Sequence, residues 1–133
     1  YSPIGEMNTF AKQYAESLAQ VSGRTALIAD RDQFIAVSGG FKSILGNSLS
    51  KELEEKLNKR EMVIASKEDT NFIPITQDVT DEFHQEAIFP IICEGDMIGG
   101  VVLIDNDEKG KMGEVEQKLI QSAAGFLGRQ MEQ

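Results

Sequence analysis

Near the start of the chain, apolar residues recur at helical spacing, with Met7, Ala11, Tyr14, Leu18 and Val21 stepping by four and three and Phe10 beside them. The pattern predicts an amphipathic helix from Gly5 to Val21, ending near Ser22-Gly23. The same steps suit a seam against another helix, although the run is shorter than a coiled coil needs. Thr25 to Ala29 and Phe34 to Ser38 are short, apolar and partly β-branched, and the polar turn Asp30-Arg31-Asp32-Gln33 closes them into a hairpin. Gly39-Gly40 breaks the second strand. Ile44, Leu45, Leu49, Leu53 and Leu57 then form a helical stripe with Ser48 or Ser50 placed to cap it, predicting a helix over 49–58. Met62 to Ala65 reads as a third strand.

From Ser66 to Gln85 the chain turns polar, interrupted by Phe72-Ile73-Pro74-Ile75, Val79 and Phe83, and Pro74 confines its run to a sheet edge or a loop. Two apolar runs follow, Ala87 to Cys93 and Met97 to Asp105, joined by Glu94-Gly95-Asp96 as a long hairpin. Gly99-Gly100 inside the second run marks a bulge or a close approach of another group. Met112 to Met131 returns to helical spacing through Val115, Leu119, Ala123, Phe126 and Leu127. The layout is helix, hairpin, helix, variable segment, long hairpin, helix, which is an α+β class with a mainly antiparallel sheet.

The 133 residues suit one domain, 1–133, and 41% hydrophobic with 26% charged residues is enough apolar content to bury a core, which excludes disorder for most of the chain. Thirteen Lys and Arg against 22 Asp and Glu give a net charge of −9, a balance that repels phosphate backbones, so the chain is not expected to grip nucleic acid by itself. Its apolar runs reach about ten residues, far below a bilayer span, and no signal-like segment opens the sequence. A membrane partner is not expected. With one cysteine and one histidine the chain makes no internal disulfide and no zinc site of the usual ligand set, which favours a reduced, cytoplasmic setting. It opens on Tyr1 rather than methionine, as expected for a piece of a longer protein.

Few residues carry a pattern that chemistry would need. His84 lies in the polar segment with no catalytic signature around it, and Cys93 ends a predicted buried strand, where a thiol is an inert small hydrophobe. Gly95, Gly99 and Gly100 fit neither dinucleotide nor P-loop fingerprints. Glu52, Glu54 and Glu55, like Asp105, Asp107 and Glu108, have the pattern of solvated charge. Asp105-Asn106-Asp107 resembles the start of a calcium loop but lacks the later glycine and glutamate.

Resemblance adds what chemistry does not. Phe89-Pro90-Ile91-Ile92-Cys93-Glu94-Gly95-Asp96-Met97-Ile98-Gly99-Gly100-Val101-Val102-Leu103 resembles the central hairpin of GAF domains, in which a proline-bearing strand, a glycine turn and an Ile-Gly step precede a long helix. Tyr1-Ser2-Pro3-Ile4, Phe10-Ala11-Lys12-Gln13-Tyr14-Ala15, Asp30-Arg31-Asp32, Ile35-Ala36-Val37-Ser38-Gly39, Met112-Gly113-Glu114-Val115-Glu116, Ala123-Ala124-Gly125-Phe126-Leu127 and Arg129-Gln130-Met131-Glu132-Gln133 are similar to the C-terminal domains of AbrB-type sporulation transcription regulators. Residues 59 to 85 are the least similar. The resemblance implies a cytoplasmic regulator of endospore-forming bacteria, acting in the forespore. It also implies a small basic DNA-binding domain ahead of this chain, which accounts for the acidity and the missing methionine. DNA would be a partner only through that domain, and the chain itself would pair as a homodimer, or a higher oligomer in the full-length protein.

The GAF resemblance also prunes. Asn58-Lys59 and Asp81-Glu82 echo the cyclic-nucleotide signature, but Gln77 stands where its phenylalanine would fall. Cys93 alone cannot supply the several cysteines of methionine-sulfoxide-reducing relatives, and bilin motifs are missing. The GAF arrangement implies first and last helices on one face of the sheet, with Met7, Tyr14, Leu18, Leu119, Phe126 and Met131 meeting a second subunit. A ligand would lie on the opposite face, beneath the 49–58 helix and the 66–85 segment, near Ser38, Phe41, Phe72, Phe83 and Phe89. The expectation is a non-catalytic module of a transcription factor, with no metal, no catalytic residue and no cofactor beyond an unidentified small molecule. The alternatives are a pure oligomerisation scaffold whose pocket is filled by its own side chains, and an enzyme on the same fold.

Overall fold

The computed structural model describes residues 3–77, 83–106 and 110–132, with side chains from Met7 onward. Val79, Asp81-Glu82 and Asp107-Glu108, named above, lie outside the described residues. Helix α1 (Pro3–Ser22) opens on a proline, whose fixed φ and missing N–H suit a first helical position. It stops where Gly23 takes φ 71° and its N–H returns 2.9 Å to the Ala19 carbonyl, the left-handed cap that glycine adopts without steric cost.

Strands β1 (Thr25–Asp30), β2 (Phe34–Ser38), β3 (Val63–Ser66), β4 (Gln85–Cys93) and β5 (Asp96–Asp105) form one antiparallel sheet in the order β2-β1-β5-β4-β3. The β1–β2 turn is the Asp30–Gln33 segment expected, held by Asp30, whose Oδ1 accepts from the N–H groups of Asp32 (2.8 Å) and Gln33 (2.9 Å). The β4–β5 turn is shorter than the pattern suggested. Cys93 pairs directly with Asp96, leaving a two-residue loop in which Glu94 (φ 51°) and Gly95 (φ 87°) both sit in the left-handed region that such hairpin loops require.

The sheet is covered on both faces. Ala26, Ile28, Ala87, Ile91, Val101 and Leu103 turn toward α1 and α3 (Glu114–Gln130), whereas Leu27, Ala29, Ile88, Val102 and Ile104 turn toward α2 (Lys51–Asn58) and the segment after β3. First and last helices on one face is thus the observed arrangement, and the α+β antiparallel class holds. Helix α2 begins at Lys51 rather than at 49, because Ser50 is the cap. Its Oγ accepts from Leu53 N–H at 3.0 Å and donates to the Pro74 carbonyl at 2.6 Å. Pro74 lies in a loop, whose end is also tied by an isolated Leu49–Thr76 bridge.

Gly99-Gly100 is a site of close approach. Any Cβ at Gly99 would run into the Ala29 carbonyl, and one at Gly100 would stand 2.8 Å from Leu57 Cδ2, so the missing side chains seat β1 and α2 on β5. On the other face, Gly128 of α3 packs directly on the Ile92 carbonyl oxygen of β4. Gly128→Ala is therefore expected to push α3 off the sheet and lower unfolding free energy by about 1–3 kcal/mol despite alanine's better helix propensity, read as a lower urea midpoint.

Candidate functional site

On the face of the sheet that α2 helps to cover, three of the five expected pocket residues meet. Phe83, buried, lies 6.3 Å from Phe41 in an edge-on contact and 5.5 Å from Phe72 in a tilted one, measured between ring centroids. Ser38 and Phe89 do not join them. Ser38 pairs with Ala26, and residues directly opposite in an antiparallel pair share a face, so it lies on the α1/α3 side; Phe89 packs against that helical layer too. This is a correction to the expected site, and its cause is the one-residue parity of a strand. Of the five, Phe41 also borders a cleft of about 570 Å³ shared with Arg24 and Asp105 at one end of the sheet.

The residue that sequence reasoning missed is Glu86. It pairs with Ala65 on β3 and Ile104 on β5, which puts its side chain in the α2-side core, where it is fully buried. Oε1 accepts from Ile73 N–H at 2.8 Å, and Oε2 has no hydrogen-bond partner. Burial pushes its pKa to about 8, against a smaller opposing effect of the Ile73 hydrogen bond, so the carboxyl is neutral at pH 7. The available signal was its two-residue step from Ile88, which marks it as a polar side chain in an apolar row.

On the other face, the six expected interface residues divide. Met7, Leu18 and Met131 are buried inside this chain, pointing from the helices into the sheet, so they are core and not a surface for a second subunit. Tyr14, Leu119 and Phe126 are half-buried, and the Tyr14 and Phe126 rings meet in a tilted contact, 5.0 Å between centroids. The two helices run antiparallel, as Arg24 beyond the end of α1 bonds Glu116 in the first turn of α3 (3.4 Å) and Asp105 (2.8 Å). Phe10, Tyr14 and Val21 on α1 repeat the spacing of Val115, Leu119 and Phe126 on α3, and Val21 and Val115 are 70% and 63% exposed.

A larger cleft, about 730 Å³, opens at the opposite end of the sheet. Its apolar wall is Met7, Leu49, Met97, Ile98 and Met131, and its polar rim carries Asp30, Asp32, Glu54, Glu94 and Asp96 with Arg31 and Asn58. The tip of the β4–β5 hairpin is fixed there by Arg60, whose guanidinium donates to the Gly95 carbonyl. Cys93 also lines it; burial, then the neighbouring Glu94, Glu132 and Asp96, raise its pKa, so the thiol stays protonated and weakly nucleophilic. Among the described residues there is no group of three or more potential metal ligands, and no helix is long and apolar enough to cross a membrane.

The family described as "Stage V sporulation protein T C-terminal, transcription factor" matches residues 6–132. Stage V sporulation protein T of Bacillus subtilis is 42% identical over 134 residues, covering 100% of this chain and 73% of that protein. Among solved structures, the GAF domain of an Acinetobacter phosphoenolpyruvate-protein phosphotransferase superposes with a TM-score of 0.76 at 12% identity, over 94% of this chain and 81% of that one. The cofactor-binding GAF domain of the nutrient sensor CodY from Clostridium difficile gives 0.67 at 11% identity, over 96% and 92%. The fold is that of GAF domains.

Glu86 generates a test. The folded-state pKa lies above the ordinary 4.5, so the unfolded chain loses its proton first and stability falls as pH rises from 4.5 to about 8. Relative to Glu86→Gln, the native chain is expected to lose roughly 3–5 kcal/mol across that window. Urea unfolding of both proteins between these pH values reads this directly, and parallel curves would mean the carboxyl titrates normally.

Proposed function

Because the chain belongs to the family of stage V sporulation protein T C-terminal transcription-factor domains, we propose that it is one non-catalytic regulatory domain, holding subunits together and responding to a small molecule. Control of DNA would pass through a basic domain outside this chain, since a net charge of −9 disfavours contact with phosphates. The setting is the cytoplasm of the forespore in an endospore-forming bacterium.

The observation that carries the reading is the matched apolar row on α1 and α3. Val21, Val115, Leu119 and Phe126 with Tyr14 form an exposed or half-exposed stripe along two packed helices. Joining it to its copy by a two-fold axis gives a four-helix seam and removes that surface from water. Sensing draws support from the GAF fold, which in the CodY protein belongs to a nutrient sensor. The pure-scaffold reading has its own support, because the Phe41, Phe72 and Phe83 rings pack on one another on the face of the sheet where a ligand was expected.

Phe126→Asp is expected to shift the chain from dimer to monomer by light scattering, because assembly would bury an unpaired charge. Val115→Asp, at a position exposed within the subunit, should weaken the dimer without affecting folding by circular dichroism. Unchanged mass in both would sink the assembly. Native mass spectrometry of the dimer separates the two readings: a reproducible small-molecule adduct supports sensing, and a clean dimer supports the scaffold.

A further inference from the structure

The cover over the α2 face of the sheet is held at two ends. Ile75 to Gln77 are laddered to the residues just before α2: Ser50 N–H donates to the Ile75 carbonyl at 3.0 Å, Leu49 bridges Thr76, and Gln77 N–H reaches the Ser48 carbonyl at 3.4 Å. At the other end, the turn after β3 is closed by Ser66 N–H on Asp69 Oδ2 at 2.9 Å and by Lys67 N–H on the His84 carbonyl at 2.8 Å. Between these anchors, residues 70–74 form neither helix nor strand. They reach the sheet through Ile73, whose N–H donates to Glu86 Oε1, and α2 through the Pro74 carbonyl, which accepts from Ser50 Oγ.

Glu86 is therefore the sheet's grip on this span, and it is a grip made by a buried acid with its second oxygen unpartnered. The groups around it do not offset a charge. Ala65 and Ile104 stand opposite from β3 and β5, and α2 turns Leu53 and Leu57 inward. The charged residues of α2 point outward, with Lys51, Glu52 and Glu55 exposed and Glu54 and Lys56 half-exposed; Lys67, Glu68 and Asp69 of the turn are exposed, and half-buried His84 lies two residues before Glu86. The acid's raised pKa comes from burial, opposed by the Ile73 N–H. An ionised Glu86 must reach water, since one N–H does not replace the hydration of a buried carboxylate. Strand β4 is paired on both sides and α2 is bonded within itself, so the span 70–74 is the part of the surroundings that yields at least cost.

We propose that residues 70–74 are a strap latched by the Glu86 carboxyl: loss of its proton lifts the strap between its two anchors, taking Phe72 off Phe83, while the five strands stay paired. The proton is then a signal in its own right, independent of the small-molecule reading above. Its sign is set by the direction of the shift, so the strap is fully latched below pH 4.5 and is released progressively as pH rises to about 8.

The test is native-state hydrogen exchange on the 133-residue chain, followed by proton–nitrogen correlation spectra, with each amide's rate divided by its intrinsic rate at that pH. Phe72 and Ile73 are expected to exchange through an opening that hardly responds to urea below about 1 M, because little surface is exposed, whereas amides in the middle of β1 and β5 exchange through a rarer, urea-sensitive one. The strap's opening equilibrium should rise at least about tenfold between about pH 6 and pH 8 in the native chain, and less than about twofold in Glu86→Gln. That variant keeps an oxygen for Ile73 N–H and cannot ionise.

Strap amides that share the urea dependence of the sheet would overturn the proposal, because the acid would then be coupled only to global unfolding. An equal pH response in Glu86→Gln, or none in the native chain, would do the same. If the variant does not fold, the native chain decides alone: a urea-insensitive, pH-driven opening together with a Glu86 carboxyl-carbon signal that titrates well above 4.5 supports the latch, and titration near 4.5 overturns it. Each of these failures leaves the dimer and small-molecule readings standing.

Discussion

Burial of the sheet on both faces is the constraint from which the rest of the molecule follows. A sheet with one wet face tolerates polar side chains on alternate residues; here β1 is buried at every position and the middle of β5 nearly so. Polar chemistry is therefore displaced to the two ends of the strands. At one end Arg24 holds Asp105 and Glu116, with Ser66 bonded to Gln85 nearby; at the other stand the Asp30 turn and the Glu94-Gly95 tip. Both clefts open at these ends.

The two covering layers are held differently. On one side long helices lie flat on the strands, and the fit is close enough for Gly128 to touch the β4 backbone. On the other, α2 has only 8 residues and an irregular segment completes the cover, so its backbone groups need partners that a helix or strand would have supplied internally. Ile73 gives its N–H to Glu86 from the sheet, while the carbonyls of Pro74 and Ile75 take the hydroxyl and the N–H of Ser50 from the start of α2. Three consecutive residues are thus gripped from below and from the side. The cost is the unpartnered Oε2 of Glu86, kept bearable because the carboxyl is neutral in this setting.

The same constraint decides what was legible. Continuous apolar runs made β1, β4 and β5 easy to find, and the left-handed demands at Gly23 and Gly95 marked where elements stop. What the runs hid was face. With both sides apolar, alternation carries no signal, so the sequence does not place Ser38 and Phe89 on their side of the sheet, and Gln85 and Glu86 look like loop residues ahead of β4. Helical spacing hid partner in a similar way. Met7, Leu18 and Met131 repeat as a seam would, but a helix packed on a sheet and a helix packed on another subunit impose the same period. The large cleft escaped because it is made by the end of a ladder, a property of register between distant strands that no local window contains.

Met7 and Met131 belong both to the core beneath α1 and α3 and to the wall of that cleft. Close-packed interiors do not absorb displacement locally, so a group pressed against these side chains is felt by the helices that bear them. Such a group shifts an assembly only by the difference in its affinity for two arrangements of those helices. The helical layer and the wall of that cleft thus share two residues, so the packing of α1 and α3 on the sheet and the shape of the cleft are set together.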